Sequence, residues 1–249
     1  MSARAFLVRG LLAGLLAGLA AFLVAHEVGE PHVERAIALE EAVADHGHSD
    51  ADQPVVSRDT QRTWGLLTGS LGVGTALGGL VGLVSAGVVG RVGRLSPGQS
   101  TALVALVGFV AVGLVPFLKY PANPPAVGNP DTIGDRTGYF FVFLLLSVVV
   151  AVLASLGAVR LRPRLGTYAA VLAGAGTYLT TMVAAAVLMP TVNELEAFPA
   201  DTLWYFRLAS LLTLATMWAG IGIALVGLVG RLHGRAVAET ARRELATSM

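Results

Sequence analysis

The sequence has no cysteine. Disulfide frameworks, thiolate metal sites, iron–sulfur clusters and cysteine nucleophiles are thereby excluded together. Charge is scarce as well: 13% of the 249 residues are Asp, Glu, Lys or Arg, against about 25% in an ordinary soluble domain. The single lysine is Lys119 and no GxxxxGK[ST] loop occurs, so ATP hydrolysis by that route is excluded. No HExxH segment is present, which removes the usual zinc hydrolase site. Ser85 and Ser155 lie in apolar runs, but no histidine lies at a matching depth to activate them. The chain is not expected to be an enzyme, and no nucleic-acid partner is expected.

What is present is apolar: 55% of residues, with a mean hydropathy of +0.71. About 20 apolar residues cross the roughly 30 Å hydrocarbon core. Six stretches meet this: 6–25, 64–90, 101–118, 138–159, 168–189 and 208–230. The expected fold class is therefore all-α, a polytopic integral membrane helical bundle of about six spans forming one domain over 1–249. The first stretch also has the form of a secretory signal, with two arginines before a Leu/Ala/Gly core. Its cleavage would leave five spans; Gly10, Gly14 and Gly18 at four-residue spacing favour a retained, closely packed helix.

Charges sort by loop. Arg4, Arg9, Arg91, Arg94, Arg160, Arg162, Arg164, Arg231, Arg235, Arg242 and Arg243 fall on one side; Arg35, Arg58, Arg62, Lys119, Arg136 and Arg207 fall on the other. Short basic loops stay cytoplasmic, so both termini are expected inside, with a basic tail over 231–249. Fourteen of the sixteen acidic residues lie on the opposite face, leaving only Glu239 and Glu244 inside. The net charge of +1 is thus a near-cancellation between two faces.

The second span carries a glycine stripe, Gly65, Gly69, Gly74, Gly78 and Gly82, read as tight helix packing. A weak repeat links Arg62-Thr63 with Arg136-Thr137, each followed 54 residues on by Pro116 and Pro190, two prolines expected to end helices. No Asp, Glu, Lys, Arg or His lies centrally in any span, which argues against a relay of buried carboxylates. The hydroxyls at depth, Thr177, Thr180, Thr181, Thr213 and Thr216, are expected to bond carbonyls one turn back.

Chemistry collects on the proposed outer face, over 26–63. His26, Glu30 and Glu34 are spaced four apart, with Glu27 beside them, and would share one helical face. Pro31 predicts a kink or restart at Gly29–Pro31. Imidazole and carboxylates suit a divalent first-row metal. His46 and His48 follow in DHGHSDAD (45–52), a flexible tract suited to capturing cations. Asn123, Asn193 and Glu194 are further polar positions in KYPANPPAVG (119–128) and MPTVNELEAFPADTLWYFR (189–207), with a Glu194–Arg207 ion pair as the favoured reading of the latter.

At these residues the chain resembles the CbtA family of predicted bacterial cobalt transporter subunits. The resemblance is carried by GEPHVERA after the first span, the acidic loop with its histidines, RTWGLLTGSLGVGTALGG (62–79), KYPANPPAVGNP (119–130), and the MPTVNE, FPA and LWYFR elements. It implies a multi-pass protein of the bacterial cytoplasmic membrane, surrounded by lipid and taking up Co2+ as substrate. No prosthetic group is implied. A small single-span, histidine-bearing subunit of the CbtB type is the implied partner. The implied metal-facing positions are His26, Glu30, Glu34, His46 and His48. A different class of function, a non-transporting scaffold or metal-sensing subunit of a separate permease, fits the same topology.

Overall fold

A computed structural model of the chain describes residues 2–44, 56–195 and 198–248. The described residues are 87% helical, and no strand occurs among them. Five helical stretches there are long and apolar enough to cross a membrane: Ala3–Ala42, Arg58–Val88, Pro97–Lys119, Pro130–Leu188 and Ala200–Thr247. A helix satisfies its own backbone polar groups, which lipid cannot do.

The elements in order are α1 (Ala3–Val24), α2 (Glu30–Ala44), α3 (Arg58–Thr60), α4 (Leu66–Val88), α5 (Pro97–Gly108), α6 (Val115–Lys119), α7 (Ile133–Leu188) and α8 (Ala200–Thr247). Three π-helical turns join consecutive pieces: Ala25–Gly29 between α1 and α2, Gln61–Gly65 between α3 and α4, and Phe109–Leu114 between α5 and α6. Two of them have a common cause. A proline inside a helix lacks an N–H and its ring crowds the carbonyl four residues back. Glu30, just before Pro31, donates to the Ala25 carbonyl, and Val115, just before Pro116, donates to the Val110 carbonyl, both five residues back. The widened turn makes room for the ring and the helix continues. The restart expected at Gly29–Pro31 is thus a π turn followed directly by helix, and Pro116 lies within a helical run instead of ending it. Pro190, by contrast, does follow the end of its helix at Leu188.

Two compact units are built from these helices: Met1–Leu23, Thr63–Val107 and Ala215–Met249 form the first; Val24–Arg62 and Gly108–Leu214 form the second.

In the first unit, α1 buries Phe6, Gly10, Ala13, Gly14, Ala17, Gly18 and Ala21. Its leucines point outward, Leu12 and Leu16 being 50% and 60% exposed. Small residues inside and large apolar residues outside is the arrangement of a helix in lipid, where burying leucine gains nothing and close backbone approach gains dispersion. Gly10 faces Gly78, Gly14 faces Gly74 and Gly18 faces Ser70. Four residues forward on α1 is four residues back on α4, so the two helices are antiparallel. The stripe read in the sequence is therefore a contact surface at Gly74, Gly78 and Gly82, whereas Gly69 has nothing near its Cβ position. The α4–α5 connection turns at Gly90 (φ 78°) and Gly93 (φ 65°). A reciprocal cap then starts α5: Ser96 N–H donates to Gln99 Oε1 at 2.9 Å and Gln99 N–H to Ser96 Oγ at 3.2 Å. The part of α8 in this unit buries Met217, Trp218, Ile221, Leu225 and Val229 along one face.

In the second unit, α7 is interrupted at Gly166, where φ is 78° and ψ 167°. The chain reverses there: a Cβ on Gly174 would lie 3.0 Å from the Ala158 Cβ, across the two arms. Only glycine adopts that backbone conformation readily. Gly166→Ala is expected to destabilise the protein by about 1–3 kcal/mol. Gly176→Ala, at a helical position with open space around it, should be neutral or stabilising; thermal unfolding of the two variants checks the contrast.

Candidate metal site

Every described candidate ligand lies in the second unit, and ion pairs organise them. Glu30 on α2 pairs with Arg58. Glu34, one turn on, pairs with Arg62 at 2.7 Å, and Arg62 also reaches Asp59 at 3.1 Å. Glu30 is the better sheltered of the two, its side chain 12% exposed against 48% for Glu34. Arg58 and Arg62 lie one turn apart, as Glu30 and Glu34 do, and each arginine takes one of the two glutamates. That coincidence of spacing was the available sequence signal for the arginine partners, which residue-type reasoning passed over.

His26, in the first π turn, approaches the Arg62 carbonyl with Nδ1 at 3.3 Å. Arg62 lies in the π turn Gln61–Gly65, and such turns leave a carbonyl without its helical donor. A carbonyl only accepts, so Nδ1 carries the proton, and in the neutral ring the lone pair is on Nε2. A backbone bond to one nitrogen that fixes the tautomer and aims the other is the arrangement a metal-ligating histidine uses. Glu27 is exposed. Among the described residues no three His, Asp or Glu side chains converge as a metal-holding group; His46 and His48 lie outside the described residues.

The structure joins the remaining polar motifs to one another. Glu194 Oε2 accepts from the Asn129 N–H and the Thr132 hydroxyl, both at 2.9 Å, with Arg136 Nε at 3.5 Å. The Arg136 guanidinium also donates to the Asn129 carbonyl at 3.0 Å. It packs over Gly128 (φ 103°), where a side chain would collide with it. Arg207 donates to Asn123 Oδ1 at 2.8 Å, so the expected Glu194–Arg207 pair is replaced by two separate pairings. Lys119 donates to the Met189 carbonyl at 3.2 Å and Tyr120 to the Pro190 carbonyl at 2.8 Å. Asn193 is exposed. These contacts give Asn123 and Glu194 a clamping role between the two proline-rich segments.

The Glu194 carboxyl is held below its ordinary value, first by the Asn129 N–H, then by the Thr132 hydroxyl, with Arg136 adding to them. A depressed folded value means that the clamp contributes its full stability above the ordinary carboxylate range and loses it as pH falls through the depressed value. Glu194→Gln is expected to lower the unfolding temperature at pH 7. The difference from wild type should narrow only below the ordinary value of 4.5, as followed by thermal melts across an acid pH series.

Within the helices, Thr177 donates to the Ala173 carbonyl at 2.8 Å and Thr213 to the Ala209 carbonyl at 2.9 Å, as expected for hydroxyls in apolar surroundings. A different network was not read from the sequence. Ser147 donates to the Ala111 carbonyl at 2.7 Å, and its oxygen lies 2.8 Å from the Tyr178 hydroxyl. Ser147 is fully buried and Tyr178 is 7% exposed.

No curated protein and no solved structure matches the chain. The family model described as "Probable cobalt transporter subunit (CbtA)" matches residues 3–230, nearly the whole length, and the chain belongs to the CbtA family.

Proposed function

We propose that this chain is the membrane-embedded subunit of a permease that takes up Co2+ across the bacterial cytoplasmic membrane. The observation that carries the reading is the family match over residues 3–230. The break at Gly166 supports six crossings, since each arm of the Pro130–Leu188 stretch is long enough to span the membrane alone. The arginine distribution supports an orientation with both termini inside, the segment 26–63 outside and the tail 231–249 in the cytoplasm. All of it forms one integral membrane domain.

On this reading the acidic outer face concentrates cations, and His26, Glu30 and Glu34 meet them, with His46 and His48 in the adjoining tract and Glu27 at its edge. Arg58 and Arg62 hold the two glutamates until the arriving dication takes their place. Asn123, Asn193 and Glu194 shape the same mouth. The CbtB-type single-span subunit completes the permease. The role is transport rather than catalysis.

The test is accumulation of radiolabelled cobalt in cells lacking other importers, with the chain and its single-span partner expressed together. Cobalt uptake that depends on the chain is the expected result. A membrane-resident protein that leaves uptake unchanged would point to the scaffold or sensing role, a reading favoured by the fact that Glu30 and Glu34 already have arginine partners.

A further inference from the structure

The Ala111 carbonyl has lost its helical donors. Val115 N–H is turned back to Val110, and residue 116 is a proline with no N–H. Ser147 fills the gap from α7 at 2.7 Å. A serine hydroxyl has one proton, and here it goes to the carbonyl, so the 2.8 Å contact with Tyr178 has the phenol as donor. Both hydroxyl protons are thereby used inside the cluster. What remains on Ala111 O, Ser147 Oγ and Tyr178 Oη is lone pairs. Such a cluster attracts a cation, or the protons of its hydration water, and disfavours an anion.

A structural need accounts for Ser147 but not for Tyr178. Ser147 alone satisfies Ala111, and phenylalanine would fill almost the same space without carrying a hydroxyl into an apolar interior. The three residues lie well inside Pro97–Lys119 and the two arms of α7. The sequence has no charged residue over 101–118, 138–159 or 168–189. An ion crossing there meets only neutral oxygens, as it does where broken transporter helices offer backbone carbonyls.

We propose that Ser147, Tyr178 and the Ala111 carbonyl form an oxygen relay site for a hydrated divalent cation midway along these helices. The site rests on the cobalt-permease reading. It is closed in this conformation, since Ser147 is fully buried, and the π turn Phe109–Leu114 is where the backbone can widen to admit the ion.

The experiment measures initial rates of radiolabelled cobalt uptake against external cobalt concentration, at matched membrane levels of the full chain and its partner. Tyr178→Phe, which leaves Ser147 on Ala111, is expected to lower the maximal rate about tenfold, as for loss of one contact to a charged group. The half-saturating concentration, set at the outer face, and the unfolding temperature should stay as in wild type. Ser147→Thr, which keeps the hydroxyl, should retain most of the rate. A wild-type maximal rate in Tyr178→Phe overturns the relay site while leaving the permease reading intact. Absence of uptake by the wild type itself overturns both.

Discussion

Gly14→Val should leave almost no folded protein in the membrane, while Gly69→Ala, on the facing helix, should be tolerated. At Gly14 an added Cβ would fall far inside van der Waals contact distance of the Gly74 carbonyl oxygen and 2.9 Å from the Thr75 Cα. These are backbone atoms and cannot rotate away as a side-chain terminus can. Even alanine there must push α1 and α4 apart, and the displacement is shared by Gly10 against Gly78 and Gly18 against Ser70. Overpacking of this kind costs about 1–3 kcal/mol, occasionally more. It outweighs the roughly 1 kcal/mol that glycine-to-alanine returns in helix propensity; the two further methyls of valine deepen the collision. Gly69 has nothing within 4 Å of its Cβ position, so only the propensity term remains. Membrane levels and detergent melts of Gly14→Ala, Gly14→Val and Gly69→Ala should fall in the order Gly69→Ala highest, Gly14→Ala lower, Gly14→Val lowest. Equal stability of the two alanine variants would remove the close antiparallel contact from the account of the first unit.

Glycines four apart announce a packing face in lipid, since no other residue lets backbones approach so closely. Which glycines are used depends on the partner: Gly69 and Gly74 look alike in sequence and differ completely in surroundings. Helical spans were legible because a lipid-facing helix is apolar all round. The π turns were half legible. Pro31 and Pro116 mark the problem each helix must solve, but breaking and widening are both local solutions, and the choice is made by what the flanking residues pack against. Partners of charged side chains were least legible. Glu194 is nearest in sequence to Arg207, yet it binds Asn129, Thr132 and Arg136, brought in from another element. Ser147 and Tyr178 were invisible for a related reason. One serine in an apolar run usually bonds its own helix, and only the carbonyl orphaned at Ala111 gives this one a different partner.

Neutralising Glu30, Glu34, Arg58 and Arg62 together, each to glutamine, should give a stable protein whose cobalt uptake at low external cobalt falls tenfold or more. The four changes are needed because the pairs make single changes ambiguous. Glu30→Gln alone leaves Arg58 with its salt-bridge partner removed, and breaking a sheltered pair is costlier than deleting both members. Folding would suffer whether or not Glu30 meets a metal. In the fourfold variant no sheltered charge is stranded, since Asp59, which loses Arg62, is 86% exposed, so the stability loss of the two-glutamate variant should be largely recovered by adding the arginine changes, a coupling that a double-mutant cycle measures. Uptake should not recover with it. If the carboxylates gather and hold the incoming dication, their loss removes both the ligands and the local field, and focusing of this kind changes capture rates by about 10–1,000-fold. Arg58→Gln with Arg62→Gln on its own should act in the opposite direction, lowering the cobalt concentration for half-maximal uptake, because the ion no longer displaces two guanidinium groups. Ionic strength supplies an independent reading: wild-type uptake should weaken as salt screens the outer face, and the fourfold variant should be nearly insensitive to it. Wild-type uptake in a stable fourfold variant would show that these charges hold the segment together and do nothing for the ion.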